Sequence, residues 1–289
     1  MPTKVEKDEI TGRDTTGHEW DGIKELNTPL PKWWLYTWYA CIVYAVIWWV
    51  LYPSWPYVTG YLGGIIGSDQ RLEFDQRMAK ARAGQAAYLD RIGAASTEDI
   101  LADPELVGFA LAGGQAAYAD NCAPCHGLGG AGQSIYPTLA DDDWIWGGSL
   151  DDIQTTINYG IRNDHEESRV NDMPAYGRDE ILEREDIQAV THYVLSLSGA
   201  EHDGSLVADG AVIFEEQCAA CHGEEGEGIQ ELGAPNLQDQ IWLYGGSPEE
   251  VAKQISSPQQ GVMPPWIGRL DEDTIKILTV YVHSLGGGQ

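Results

Sequence analysis

Two copies of the pattern Cys-x-x-Cys-His are the residues in this sequence best suited to do chemistry. They are Cys122, Cys125 and His126 in the first copy, and Cys218, Cys221 and His222 in the second. Two thiols at this spacing add to the two vinyl groups along one edge of a haem, and the adjacent imidazole then reaches the iron from one face. Chance gives about 0.002 such motifs in a chain of this composition. The pattern therefore predicts two covalently attached haem c groups.

Zinc and disulfide chemistry are the alternatives for paired cysteines. Exported cysteines often form disulfides, but a His directly after each pair is not a feature of disulfides. A zinc site needs two further Cys or His ligands close by. Before the final helix of the first repeat, the one other His is His165, so zinc fits the first motif poorly.

Methionine is the candidate for the second axial ligand, by elimination. The chain has four Met, of which Met1 is the first residue and Met78 precedes the repeats. The other two lie 47 and 41 residues after the motif histidines, and each is followed by Pro. His and Met together ligate the iron of cytochromes c, whereas a single Met is more often core filling. The predicted axial ligands are His126, Met173, His222 and Met263, with one Met lying in each repeat.

The motifs belong to a tandem repeat whose parts recur in the same order 88 to 98 residues apart. Each copy also has a W-x-x-G-G-S segment, a Met-Pro segment and a final Y-V-x-S-L segment. A period this long indicates two domains and not a solenoid. We predict helices over 108–121, 149–160, 184–197, 207–217, 247–256 and 272–284.

Two local features refine these helices. Ser149 and Ser247 precede predicted helices with an acid three residues later, which is typical of an N-cap. A small residue lets a facing ring approach where two helices cross. We therefore expect Gly114 to face Tyr193, and Gly210 to face Tyr281, within each domain.

A charge-free stretch from Trp33 to Ser68 precedes the repeats. Its core, residues 33–52, spans about 30 Å as a helix, which matches the hydrocarbon layer of a bilayer. Trp and Tyr residues gather at both ends, as in an aromatic belt. A cleaved signal peptide, the alternative, has a shorter apolar stretch and a small-residue cleavage site. Because Lys24 and Lys32 precede the span, we predict a cytoplasmic N-terminus and periplasmic haem domains.

The predicted chain is mainly α, with one N-terminal transmembrane helix followed by two tandem class I cytochrome c domains. Its sections are a cytoplasmic N-terminal tail (1–32), the transmembrane helix (33–52), a periplasmic connector with a helix near 69–92 (53–107), cytochrome c domain 1 (108–199), a linker (200–206) and cytochrome c domain 2 (207–289).

Negative charge is concentrated in the repeats, within a net charge of −28. Residues 93–200 carry four bases and 19 acids, a balance of −15, and residues 201–289 carry three and 15, a balance of −12. Nucleic acid is excluded as a partner because it would be repelled. A basic donor cytochrome c is expected instead, with solubility alone as the alternative. The cluster Asp141, Asp142 and Asp143 is a candidate dock or a solvated loop.

The stretch N-T-P-L-P-K-W-W at 27–34, the single span and the two haem motifs with their Met-Pro segments together resemble a known family. They are similar to subunit III of cbb3-type cytochrome c oxidases, the dihaem cytochrome c subunit of CcoP/FixP type. The resemblance covers nearly the whole chain, and all eight positions for thioethers and axial ligands match. The haem motifs alone are generic to class I cytochromes c, so the segment before the membrane span narrows the family.

This resemblance implies a subunit of a bacterial inner-membrane oxidase that does no catalysis by itself. It would accept electrons from a periplasmic or membrane-bound cytochrome c and pass them through a monohaem cytochrome c subunit to the oxygen-reducing catalytic subunit. Two alternatives remain at this stage. One is a membrane-anchored dihaem cytochrome of another respiratory complex, and the other is a dihaem peroxidase-like enzyme with one five-coordinate iron.

Overall fold

A computed structural model describes residues 4–286, and the chain divides into two compact units, Met1–Ala83 and Gly84–Gln289. The first unit begins with an antiparallel hairpin, β1 (Thr15–Trp20) and β2 (Ile23–Leu26). Its two-residue turn is Asp21-Gly22, with φ of 48° and 82°. An Asp-Gly pair favours the hairpin turn in which both residues have positive φ. The sequence thus held a signal for this hairpin, which we did not predict.

The candidate membrane helix, α1 (Lys32–Leu51), is 20 residues long and none of its residues is buried within the described part of the first unit. It is long and apolar enough to cross a membrane. An apolar helix surface that no protein covers is stable in lipid, which also forces all backbone hydrogen bonds to be internal. A short antiparallel pair, β3 (Pro56–Tyr57) and β4 (Gly60–Tyr61), follows.

The rest of the described chain is helical. In order, the helices are α2 (Gln70–Ala94), α3 (Thr97–Ala102), α4 (Pro104–Asn121), α5 (Ala123–His126), α6 (Leu150–Tyr159), α7 (Arg184–Leu197), α8 (Val207–Gln217), α9 (Ala219–His222), α10 (Pro248–Ser256) and α11 (Glu272–His283). Short 3-10 turns lie at Leu128–Gly130 and Gln230–Leu232. The six predicted helices are confirmed to within four residues at each end. The predicted mainly helical fold is therefore confirmed.

Capping explains where these helices begin. The Ser149 hydroxyl accepts the backbone N–H of Asp152 at 3.1 Å, and that of Ser247 accepts the N–H of Glu250 at 3.3 Å, so both predicted N-caps are confirmed. Helix α4 begins earlier than predicted, because the Asp103 carboxylate accepts two backbone N–H groups of its first turn. Proline at the first helical position costs no hydrogen bond there.

Helix pairing is exchanged between the two repeats. Helix α4 packs against α11, and α7 packs against α8. A Cβ at Gly114 would lie 2.5 Å from the Cβ of Tyr281, and one at Gly210 would lie 2.8 Å from the Cβ of Tyr193. The expectation that Gly114 faces Tyr193 and Gly210 faces Tyr281 is therefore wrong. Each repeat has the same Gly and Tyr at matching positions, so the sequence pattern alone suits either pairing.

Two hydrophobic cores follow from this exchange. The first combines residues of α4, α5, α6 and α11, and its buried members include Tyr118, Ile153, Ile157, Ile275, Leu278 and Val282. The second combines residues of α7, α8 and α10, and its buried members include Ile187, Val190, Val194, Phe214, Val251 and Ile255. The last helix of the second repeat thus completes the core around the first motif.

Helix α11 also anchors the connector. Its opposite face buries Ile277 and Val280 against Ile92 of α2. The Lys276 ammonium donates to the carbonyls of Ile92 (3.3 Å), Gly93 (2.9 Å) and Ala95 (2.9 Å) at the end of α2. A cation there satisfies free carbonyls and opposes the negative end of the helix dipole.

Candidate functional site

The first Cys-x-x-Cys-His motif lies at the junction of α4 and α5, where it presents an imidazole in a defined state. The His126 Nδ1 lies 3.1 Å from the carbonyl oxygen of Pro137. Because a carbonyl accepts only, Nδ1 carries the proton and Nε2 keeps its lone pair. Burial lowers the pKa of His126 and outweighs the opposing effect of the Pro137 carbonyl. The imidazole is therefore neutral and oriented, which is the form that binds a metal.

The second motif repeats this arrangement at the junction of α8 and α9. The His222 Nδ1 lies 3.1 Å from the carbonyl oxygen of Pro235. Burial again lowers the pKa of the imidazole, against the smaller effect of that carbonyl. Both motifs thus present an Nε2 lone pair, held from behind by the carbonyl of a proline.

The four motif cysteines are free of disulfides within the described part of the chain. Burial, with a contribution from the second thiol of each pair, raises the pKa of Cys122 and of Cys218 to about 11. These half-buried thiols are therefore protonated at neutral pH. Each sulfur remains available to form a thioether, as covalent haem attachment requires.

Met173 lies with the second motif, although it belongs to the first repeat in sequence. A cavity of about 520 Å³ is lined by Met173, Cys218, Cys221 and His222. Met173 also packs against the hydrophobic core that contains Phe214. A cavity of this size with apolar walls and a few directed polar groups is typical of a cofactor site.

Met263 belongs to the second repeat but lies at the end of α6, beside the first motif. Its backbone pairs with Ile161, two residues beyond α6. Trp266, three residues later, packs against the core that contains Cys122 and Ala123. Met173 thus lies in the cavity of the second motif, and the Met263 segment lies beside α6, which packs with the first motif. The assignment of the four side chains as axial ligands stays a prediction.

A buried donor without a partner tests whether a haem fits the first motif. The indole Nε1 of Trp144 is buried and has no hydrogen-bond partner among residues 4–286. Its ring packs against the core that contains Cys122. An unpaired buried N–H is costly unless a bound group accepts its hydrogen bond. The carboxylates of a haem are suitable acceptors, so the residues present fit this cofactor.

Trp144 was not among the predicted functional residues, although the W-x-x-G-G-S segments carried a signal for it. A Cβ at Gly148 would lie 2.5 Å from the Trp144 ring, and one at Gly246 would lie 2.6 Å from the Trp242 ring. Only glycine lets each indole lie this close to the backbone. The repeated Trp-to-Gly spacing therefore indicates two indoles locked in place.

The acidic cluster is less exposed than the sequence suggested. Asp142 is exposed, whereas Asp141 and Asp143 are half-buried and line the cavity that holds the second motif. Burial, followed by the carboxylates of Asp239 and Asp141, raises the pKa of Asp143 to about 6. The cluster thus brings together acids of both repeats.

The remaining histidines of the repeats make local contacts. His165, which was a zinc candidate, accepts the backbone N–H of Glu167 at 3.1 Å, and its ring packs on Tyr159. His192 accepts the N–H of Asp203, and the Nδ1 of His202 lies 2.8 Å from the carbonyl of Ala200. These contacts tie down turns and do not direct the rings to either motif.

Three family profiles match the chain, in order along it. Residues 12–59 match the N-terminal domain of cytochrome oxidase-cbb3, FixP. Residues 111–198 match cytochrome c, and residues 205–282 match cytochrome c oxidase, cbb3-type, subunit III. The profiles therefore cover the membrane helix and both repeats.

Curated relatives match over nearly the full length. A cbb3-type cytochrome c oxidase subunit CcoP of Azospirillum sp. is 50% identical, with 98% of each chain covered. A subunit FixP of Bradyrhizobium diazoefficiens is 48% identical over 100% of both chains. A subunit CcoP of Cereibacter sphaeroides is 44% identical, also over 100% of both chains.

Proposed function

Because the chain belongs to the CcoP/FixP family of cbb3-type cytochrome c oxidase subunits, we propose that it relays electrons towards the oxygen-reducing subunit of such an oxidase. The donor in this proposal is a periplasmic or membrane-bound cytochrome c, and a monohaem cytochrome c subunit receives the electrons next. The observation that carries it is the pair of half-buried imidazoles, each oriented by a proline carbonyl at Nδ1 and each set beside two free thiols.

The chain carries two covalently bound haem c groups. We propose that their thioethers form at Cys122, Cys125, Cys218 and Cys221, and that the axial ligands are His126, Met173, His222 and Met263. Haem c supplies one-electron oxidation and reduction without a protein acid or base.

The side chains of this protein hold and shield the cofactors. The carbonyls of Pro137 and Pro235 fix the two imidazoles, so that each Nε2 lone pair would be available to hold the iron of a bound haem. The hydrophobic cores around Tyr118 and Phe214 keep water from the motifs. With the thioethers of Met173 and Met263 as further ligands, a bound haem would favour the ferrous state and would offer no position for oxygen or peroxide. This supports electron transfer over peroxidase chemistry.

The proposed location is the bacterial inner membrane, with the N-terminus in the cytoplasm and the haem domains in the periplasm. Among residues 4–286, α1 is the one helix long and apolar enough to cross a membrane, which supports a one-span anchor. Lys24 and Lys32 lie before the span, and basic residues beside a span favour the cytoplasmic side, so they support this orientation.

The test is gentle purification of the tagged full-length chain from detergent-solubilised membranes. We expect the catalytic and monohaem cytochrome c subunits to copurify, and both haems of the chain to be oxidised when oxygen is added. Cyanide, which blocks the oxygen-reducing centre, should stop this oxidation. A chain that purifies alone and remains reduced in air would contradict the proposal. Carbon monoxide binding to either ferrous haem would instead support the peroxidase-like alternative.

A further inference from the structure

We propose that Arg162, in the loop after α6 of the first repeat, sets the reduction potential of the haem at the second motif. Its guanidinium would bind a carboxylate of that haem, and its positive charge would favour ferrous iron. This rests on the proposed function, because it requires a haem attached at Cys218 and Cys221. It adds a residue that neither attaches a haem nor ligates an iron.

Arg162 supplies the positive charge at the cavity of the second motif. Among the described residues that line this cavity, it is the one lysine or arginine, and it lies there with the acids Asp141, Asp143 and Asp172. The ion pairs found within residues 4–286 do not include Arg162. Its charge is therefore not neutralised by a described side chain and is available to an anionic group of the cofactor.

The guanidinium is oriented by two backbone carbonyls. Its Nε donates to the carbonyl of Gly261 at 2.8 Å, and its Nη1 donates to the carbonyl of Asn171 at 3.2 Å. The hydrogen bonds of residues 4–286 leave the third nitrogen, Nη2, without a partner. An arginine presents its N–H groups in a rigid planar fork that matches the two oxygens of a carboxylate. Two nitrogens thus fix the fork, and the third can bind a carboxylate of the haem.

The backbone of Arg162 has an unusual conformation that the surrounding loop maintains. Its φ is 51°, in the left-handed region that few residues with a side chain adopt. The Arg162 N–H donates to the carbonyl of Arg169 at 2.9 Å, and the Arg169 N–H donates to the carbonyl of Gly160 at 3.1 Å. Such strain persists where neighbouring contacts determine the backbone, and it gathers at functional sites. The loop therefore fixes the side chain at the wall of the cavity.

The size of the effect follows from Coulomb's law. At an effective dielectric constant of about 20, a unit charge about 12 Å from another changes an equilibrium by about tenfold. For a one-electron couple, a tenfold change corresponds to about 59 mV. Loss of the charge should therefore lower the ferrous-to-ferric ratio of the second haem about tenfold at a fixed applied potential.

The experiment is a redox titration of the full-length, haem-loaded protein in which each haem is followed separately. The haem methyl signals of the ferric protein in NMR distinguish the two, once assigned through the thioether protons of Cys218 and Cys221. Arg162→Gln should shift the second haem about tenfold towards ferric iron and the first haem by less. Arg162→Lys keeps the charge but loses the fork, so it should cause less than half of that shift.

Arg169→Gln is the matched control. Arg169 lies in the same loop, and its guanidinium donates to the Trp146 carbonyl and the Asp152 carboxylate. It is not among the residues that line the cavity. The control removes the same charge and loosens the same loop, yet it should leave the potential of the second haem nearly unchanged. An unchanged second potential in Arg162→Gln, or an equal shift in Arg162→Lys or Arg169→Gln, would overturn the proposal.

A second measurement needs no variant, in case Arg162→Gln does not take up both haems. In the reduced, unaltered protein with ¹⁵N-labelled arginine, the guanidinium protons of Arg162 should show contacts to the carboxylate-bearing side chains of the haem at Cys218 and Cys221. Contacts only to the haem at Cys122 and Cys125, or none to either haem, would contradict the role of Arg162. Neither result would affect the electron relay, which copurification and cyanide-sensitive oxidation test separately.

Discussion

At the scale of single residues, both motifs depend on ring nitrogens that have one hydrogen-bond partner or none in the described chain. Each motif imidazole has one proline carbonyl at Nδ1, which fixes the tautomer. Trp144 has a buried Nε1 with no acceptor in the described chain. A haem carboxylate can accept the hydrogen bond of this N–H. A change at Trp144 should therefore alter measurable properties of the bound haem.

Replacement of Trp144 by Phe should therefore weaken the first haem site. Phenylalanine keeps an aromatic ring over Gly148 but removes the N–H, so a charged acceptor loses its hydrogen bond. We expect the free energy of unfolding of the haem-loaded protein to fall by about 1–3 kcal/mol. The potential of the haem at Cys122 and Cys125 should also fall, because a less neutralised carboxylate favours ferric iron. Denaturant unfolding and redox titration measure the two effects.

Trp242→Phe is the matched variant in the second repeat, since its ring also lies against a glycine, Gly246. It should leave the potential of the first haem unchanged. If Trp144→Phe alters neither the stability nor the first potential, Trp144 does not bind the cofactor.

Asp143 makes the stability of the protein depend on pH. Its carboxyl has a pKa raised from 3.8 to about 6 in the folded state, so the folded protein binds more protons than the unfolded chain between these values. Its contribution to the free energy of unfolding is therefore complete below about pH 4 and lost as the pH rises through about 6. Asp143→Asn should remove this loss, and should make the protein more stable than wild type at pH 7.5 but not at pH 4.

The control for this prediction is Asp142→Asn, because Asp142 is exposed. Urea unfolding at several pH values should show no such crossover for the control. A parallel pH dependence in wild type and Asp143→Asn would mean that the buried carboxyl of Asp143 does not titrate in this range.

At the scale of elements, two glycines of helix α4 have different surroundings. Gly114 lies where Tyr281 of α11 crosses, and a Cβ there would also lie 2.9 Å from the Ile277 carbonyl oxygen. At Gly108, in the same helix, no described atom lies within 4 Å of such a Cβ. The close approach of α4 and α11 therefore depends on one glycine and not on the other.

Gly114→Ala should destabilise the protein by about 1–3 kcal/mol, because an added methyl overpacks the crossing. Gly108→Ala should be neutral or stabilise by up to about 1 kcal/mol, since alanine is the better helix former. Thermal or urea unfolding of the haem-loaded variants measures both changes. Equal effects of the two substitutions would contradict the α4–α11 crossing.

The same helices show how far the sequence could be read. The predicted bounds of α7 and α8 match the structure to the residue. The caps Ser149 and Ser247 located the starts of α6 and α10 to within one residue, because a cap determines where a helix begins. The motif Cys and His residues were also identifiable from spacing alone. The pairing of helices was not, because two copies of one pattern offer two sets of equivalent contacts. The connections between the repeats decide the pairing, and a repeat pattern carries no information about them.

At the scale of the whole molecule, the exchange makes the two repeats depend on each other. Helix α11 covers the core of the first motif and also binds the end of α2 through Lys276. Acidic residues of the two repeats also lie close together, since the carboxylate of Asp239 in the second repeat helps to raise the pKa of Asp143 in the first. Acids of the two segments, which carry −15 and −12, therefore lie close together at Asp143 and Asp239.

This shared acidity should accelerate reduction by a basic donor cytochrome c. Surface fields of this kind raise encounter rates by about 10 to 10³-fold at low salt. The Debye length is about 8 Å at physiological ionic strength, so charges close to the contact dominate there. We expect the second-order reduction rate to fall steeply as salt increases. The combined variant Asp141→Asn, Asp142→Asn and Asp143→Asn should lower the rate at low salt and flatten its salt dependence, as stopped-flow spectroscopy would show.

A control with equal charge removed from exposed residues of α2 and α3 (Asp90→Asn, Glu98→Gln and Asp99→Asn) should retain most of the dependence of the reduction rate on salt. If instead Asp239→Asn and other changes in residues 201–289 produce the flattening, the donor docks on the second repeat. A rate that is indifferent to salt in the unaltered protein would mean that the acidity serves solubility and does not guide a donor.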